Sequence, residues 1–150
     1  MPHIHPLYDF VTSVFVVHEE AVLLVFHRHY NRWLPIGGHI ELNEDPEQGL
    51  FREIQEESGL EVTILSSKPD FVVPGVKPIL KPHFMDVHDI RDNHKHIAFI
   101  YVGKSSHRQV QLHEREHSQF QWFTQAEVQS HPSLDPSIRY YALEALRIAK

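Results

Sequence analysis

Residues Gly38 to Leu60 read GHIELNEDPEQGLFREIQEESGL, a stretch that carries both helix punctuation and a dense acidic load. Asp45 is a good N-cap, Pro46 suits the first helical position, and Gln48 completes a capping box with Asp45. Gly59 supplies the stop. The spacing predicts a helix of about 13 residues, roughly 20 Å long. Leu50, Phe51 and Ile54 form its expected apolar stripe. Gly49 is out of place there, because a glycine inside a helix costs about 1 kcal/mol against alanine.

Glu53, Glu56 and Glu57 stand at i, i+3 and i+4, so they project from one side of the helix, with Glu44 just ahead of it. Like charges at that spacing repel. A bound cation offsets the repulsion, and carboxylate oxygens suit the hard ions Mg²⁺, Ca²⁺ and Mn²⁺. The expected arrangement packs the apolar stripe inward and turns much of the glutamate cluster away from it. The plainer alternative, a solvated acidic face, is the usual meaning of a Glu-rich helix.

The fixed gaps favour the metal. Gly38, Glu44, Arg52, Glu53, Ile54, Glu56, Glu57, Gly59 and Leu60 fit G-x5-E-x7-R-E-U-x-E-E-x-G-U at every fixed position, where U is a bulky aliphatic residue. That pattern resembles the signature of the Nudix hydrolases, and it is far more specific than a lone glycine motif. The lead-in Trp33-Leu34-Pro35-Ile36-Gly37-Gly38-His39-Ile40-Glu41 is also similar to the family's approach to this box.

The resemblance implies an α/β protein, a Nudix-type α/β/α sandwich with a mixed β-sheet, spanning 1–150 as a single domain. It implies divalent-metal-dependent hydrolysis of the diphosphate bridge of a nucleoside diphosphate linked to another moiety: a nucleotide-sugar, an ADP-ribose-like molecule or a nucleoside triphosphate. Mg²⁺ is the expected ion, with Mn²⁺ as a substitute. By position in the motif, Glu53, Glu56, Glu57 and the Gly38 backbone are the expected metal ligands. Glu53, Glu57 and Arg52 are the expected catalytic group, with Arg52 holding a glutamate, either Glu56 at i+4 or Glu53. Glu44 is a candidate further ligand. Glu114 and Glu116, on a late loop, are candidates for an additional base or ligand. The rival expectation is a non-catalytic sensor that binds a nucleotide, although such a module has no need of every glutamate.

Outside this segment the signals are weaker. Fourteen histidines are unusual in 150 residues. His83, His88, His94 and His96 gather near Asp86, Asp89 and Asp92, and imidazole is a common transition-metal ligand. No helical H-x-x-x-H pair or cysteine supports a dedicated metal site, so substrate contact, packing or scattered surface positions are the favoured reading. Asp86 and His88 alternate onto one strand face and are candidate substrate contacts. Trp33 is a candidate for stacking on a base, with core packing as its plainer reading. Lys68, Lys77 and Lys81, in a proline-rich loop, are candidates to reach phosphate.

Composition limits the classes. The formal net charge is −6 and no long basic run appears, which argues against a duplex nucleic-acid partner. A small phosphorylated nucleotide is compatible, because bound cations invert the local field. There is no cysteine, so disulfides, thiol catalysis and Cys-based zinc sites are excluded. That usage is compatible with a cytoplasmic protein. No apolar run is long enough to span a membrane, and the first residues show no leader pattern. No oligomeric state is read from the sequence.

The coarse pass expects strands near 10–17, 21–29, 61–66, 84–88, 96–103 and 120–123. Residues 68–82 read as loop. Thr124 with Glu127 caps a short helix, and Asp135-Pro136 opens the last one.

Overall fold

The computed structural model describes residues 6–150; the opening residues 1–5, where the leader pattern was sought, lie outside the described residues. In chain order the elements are β1 (Tyr8–His18), β2 (Ala21–His27), β3 (Arg32–Leu34), β4 (Ile36–His39) and α1 (Pro46–Ser58). Then follow β5 (Val62–Ile64), β6 (Phe84–Arg91), β7 (His94–Ser105), β8 (His117–Thr124), α2 (Gln125–Ser130) and α3 (Pro136–Ile148). One mixed sheet runs β3-β2-β1-β7-β5, with β4 paired to β1, β6 to β7 and β8 to β2. The β1–β7 ladder is parallel, and the other ladders are antiparallel.

Strict alternation along the central strands builds two cores. Val11, Phe15 and Val17 of β1 join Ala98, Ile100 and Val102 of β7 on one face, against Ala142 and Ala145 of α3. Val14 and Val16 of β1 join Tyr101 of β7 on the other face, against Leu50 and Ile54 of α1. Successive side chains of a strand point to opposite faces, so a sheet with hydrophobic residues at every position needs cover on both sides. The result is the expected α/β/α layering. No helix among the described residues is long and apolar enough to cross a membrane.

The helix ends follow the sequence signals, with one exception. Asp45 and Gln48 form the reciprocal capping box, and Gly59 takes the left-handed conformation at φ 66°. Thr124 and Glu127 form a second capping box on α2. Asp135 opens α3 but makes no side-chain cap. Its carboxylate accepts a 3.0 Å hydrogen bond from Arg32 Nη1 instead.

The apolar stripe of α1 is corrected. Leu50 and Ile54 are buried, but Phe51 is 42% exposed. Its place on the packed side is taken by Glu53 and Glu57, which are 8% and 2% exposed. These two glutamates therefore do not face away from the packed side: they lie at its edge, beneath β4, which carries Gly37 and Gly38.

Candidate active site

Two strands and one helix bring the motif residues together. β4 lies beside β1, pairing Gly38 with Thr12 and Gly37 with Ser13. This holds Gly37 and Gly38 over α1. The Glu53 carboxylate presses against the Cα of Gly38, and a Cβ there would collide with its Oε1 and lie 2.8 Å from its Cδ. The first glycine of the motif is thus a requirement of close approach. A smaller version of the same constraint accounts for Gly49, whose missing Cβ leaves room for Glu44 Oε2, 3.2 Å from where that atom would sit.

Arg52 organises the acidic side chains. Its Nε and Nη2 donate to the two oxygens of Glu44 at 2.6 and 3.1 Å, a bidentate pair. Its Nη1 donates to Glu53 at 2.8 Å and to Glu56 at 3.2 Å, and Nη2 also donates to the His39 carbonyl at 2.9 Å. Both sequence partners, Glu53 and Glu56, are contacted, but the principal partner is Glu44. These hydrogen bonds, first that to Glu44, raise the guanidinium above its ordinary value and fix it as a cation. Glu44 in turn is held below the usual carboxylate range, chiefly by Arg52.

The two buried glutamates both shift the other way from Glu44. Burial, and then the neighbouring charge of Glu57, push Glu53 up to about 7 despite Arg52. Burial pushes Glu57 up to about 8; the 3.0 Å hydrogen bond from the Gly37 N–H opposes this and the charge of Glu116 adds to it. Glu56 points outward, with its side chain 56% exposed.

The late-loop candidates separate. Glu116 joins the site: one ligand atom each from Glu57, Glu116 and His117 lie within 4.8 Å of one another. Glu114 and Glu116 both offer backbone carbonyls to Arg28, at 2.9 and 2.8 Å, but only the Glu116 carboxylate joins that group. His117, at the start of β8, was not a site candidate. It is 2% exposed, and its Nε2 lies 3.0 Å from Glu57 Oε1 but off the line of a hydrogen bond. Neither ring nitrogen has a hydrogen-bond partner among the described residues. Burial holds this imidazole below its ordinary pKa, against the opposing charges of Glu116 and Glu53. The one sequence hint was its place beside Glu116; its burial depends on the pairing of β8 with β2.

Other candidates fall elsewhere. Trp33 is 7% exposed and packs edge-on against Phe26 and Phe123, so its packing reading holds and little of the ring is open for stacking. Asp86 and His88 are brought together, Nδ1 to Oδ1 at 2.7 Å, and the other Asp86 oxygen accepts from Tyr141 of α3 at 2.7 Å. They lie on the α3 face of the sheet, opposite α1. Lys77 and Lys68 pair with Asp45 and Glu47 at 2.7 and 3.4 Å, which ties the proline-rich loop to the start of α1.

The NUDIX domain model matches residues 8–145. This chain belongs to the Nudix family. A Nudix-family hydrolase from Clostridium perfringens superposes with a TM-score of 0.83 at 30% identity, covering 95% of this chain and 98% of that one. A C. elegans Ap4A hydrolase shares the fold at a TM-score of 0.64, with 17% identity over 94% of each chain. A MutT-like protein of Streptomyces ambofaciens is 40% identical over 60 residues, which is 39% of this chain and 39% of that relative. The stretch matched to it thus spans well under half of its length. The glutamate cluster described above is the Nudix box of this chain.

Proposed function

We propose that this Nudix protein hydrolyses the diphosphate bridge of a nucleoside diphosphate linked to another moiety, with Mg²⁺ or Mn²⁺ held at the box. The observation that carries the reading is the set of buried donors around Glu57. Two carboxylates sit side by side out of water, next to an imidazole with no hydrogen-bond partner among the described residues. Burying two neighbouring carboxylates and an unpartnered imidazole is costly, and a cation among them offsets that cost. The residues therefore fit a divalent ion, with Glu53, Glu56, Glu57 and the Gly38 backbone as holders and Glu116 and His117 adjoining. When bound, the ion neutralises phosphate charge and acidifies a coordinated water.

The protein's own groups supply orientation and proton transfer. Arg52 fixes Glu53 and Glu56 from one side, and the Gly37 N–H fixes Glu57 from the other. Glu44 holds Arg52 in that pose. Glu116 is the favoured base over Glu114, because its carboxylate reaches the cluster and stays half exposed to accept a proton. The acidic surface leaves phosphate recognition to the ion and a few cations. The chain's cysteine-free composition fits a cytoplasmic protein working as one domain.

The test is a panel of nucleoside diphosphate derivatives, including dinucleoside polyphosphates, nucleotide sugars, ADP-ribose and nucleoside triphosphates, incubated with Mg²⁺ and resolved by product. Cleavage within the phosphate chain of at least one class is expected. Tight binding of panel members with no cleavage by well-folded protein would favour the sensor reading instead.

A further inference from the structure

We propose that Asp9, His39, His94 and His96 form a transition-metal site, of the kind that takes Zn²⁺, on the sheet face opposite the Nudix box. The proposal does not depend on the hydrolase reading.

Strand register assembles it. Asp9 of β1 is the direct partner of His96 in the parallel ladder with β7. His94 lies two residues earlier on β7 and so shares the face of His96. His39 comes from β4, on the other side of β1, where it pairs with Val11. Four residues from three strands thus converge at one end of the sheet, beyond the part of the face packed against α3.

Three of the donors lie around a common point, with His39 at the edge of the group. One ligand atom each from Asp9, His94 and His96 lie within 4.8 Å of one another. Asp9 Oδ2 is 2.8 Å from His94 Nε2 and 3.4 Å from His39 Nε2. The His96 ring centre is 5.0 Å from that of His39 and 5.8 Å from that of His94. Imidazoles bonded at about 2.0–2.1 Å to one tetrahedral ion have ring centres roughly 5 Å apart. Edge-to-face packing tolerates the same spacing. Packing does not account for a single carboxylate oxygen shared by two imidazoles, nor for the state of His96. That ring is in a residue only 7% exposed, and it meets other imidazoles without a hydrogen bond to any described residue. A metal bond would give this mostly buried ring a polar partner.

The donor set selects the ion. Three imidazoles and one carboxylate suit Zn²⁺ and its neighbours, whereas Mg²⁺ prefers oxygen alone. His88 stands beside His96, ring centres 5.3 Å apart, and its Nδ1 is held by Asp86. Drawing the donors to bonding distance needs rotation of His39 and Asp9, whose side chains are 54% and 44% exposed. His39 directly follows Gly38, and its carbonyl accepts from Arg52. An ion here would therefore clamp to β1 and β7 the strand that leads into the box.

The experiment titrates metal-free protein with Co²⁺ and then Zn²⁺, in a large excess of Mg²⁺ that competes at the glutamate cluster. One equivalent of Co²⁺ should bind with the intense visible absorption of a tetrahedral ion, and Zn²⁺ should displace it. D9N and H94N alter partly exposed side chains and should each weaken binding by about tenfold or more, the scale at which even supporting partners of a metal site matter. H96N should do the same, with its thermal denaturation recorded beside wild type to confirm folding. E56Q should bind Co²⁺ as wild type does. The proposal is overturned if wild type takes up no Co²⁺ under excess Mg²⁺, or if D9N and H94N bind as wild type does. It is equally overturned if E56Q rather than D9N loses the ion, since the cobalt would then sit at the box.

Discussion

On the α1 face of the sheet, burial drives Glu57 up to about 8; on the α3 face, burial drives His96 down to about 4. The cause is the same and the sign is opposite, because removal from water disfavours whichever form is charged. Neighbours reinforce each shift: Glu116 beside Glu57, and His39 and His88 beside His96. One β-sheet thus separates an oxygen-rich cluster from an imidazole-rich one by the alternation of its side chains. Residue type then decides which cation each side favours, hard ions for the carboxylates and borderline ions for the histidines.

The largest expected effect breaks the α1 cluster alone. Glu57→Gln keeps size and burial but removes a charged donor, so kcat should fall by more than roughly 100-fold, beyond the ~10–100-fold typical of supporting partners. Thermal denaturation should show the variant folded. Near wild-type kcat at saturating Mg²⁺ would show that the site is misplaced. Arg52→Lys comes next. Lysine keeps the charge but cannot span Glu44, Glu53 and Glu56 with a planar fork, so a loss of about tenfold in kcat is expected. An unchanged kcat would reduce Arg52 to an ordinary surface ion pair.

Stability in the absence of metal gives a subtler comparison. The folded pKa values of Glu53 and Glu57, about 7 and about 8, lie above the unfolded carboxylate value of about 4.3. Their stabilising contribution is full below that unfolded value and is lost as pH rises through the folded ones. His96 and His117 shift the other way, and their contributions level off above about pH 6.5. In chelator, Tm should therefore decline between about pH 6.5 and 8 and level off above, and Mg²⁺ should flatten that decline. A chelated protein whose Tm rises over that window would contradict the buried-glutamate account. The smallest effect is expected from His94→Asn, on the far face: hydrolysis at saturating Mg²⁺ should stay within about twofold of wild type. A larger loss of kcat would mean the two faces are coupled.

The difference between the faces also explains what the sequence disclosed. The box helix was legible because its caps, its glycine stop and its glutamates are contiguous, and local spacing alone defines them. The inward position of Glu53 and Glu57 was not, because the periodicity of α1 does not say that Gly37 and Gly38 will be laid over it by β4. Phe51 reads as core by type, yet helix packing leaves it exposed. Glu44 as the main partner of Arg52 lies eight residues away, across the N-cap turn, so no helical spacing rule reaches it. The histidines were visible as a count and as a local cluster at residues 83–96, not as a site. Asp9, His39 and His96 meet through the pairing of β1 with β4 and β7, and that register is a property of the whole sheet. His117 was hidden for the same reason, one residue past a glutamate that was noticed.

The central claim is that hydrolysis runs through a divalent ion held by the box glutamates. Its most direct test measures turnover of a cleaved diphosphate substrate before and after exhaustive chelation, followed by graded return of Mg²⁺ or Mn²⁺. The account predicts that activity vanishes with chelation and recovers with either ion in wild type, while Glu57→Gln stays low across the titration. Equal turnover in excess chelator would contradict it.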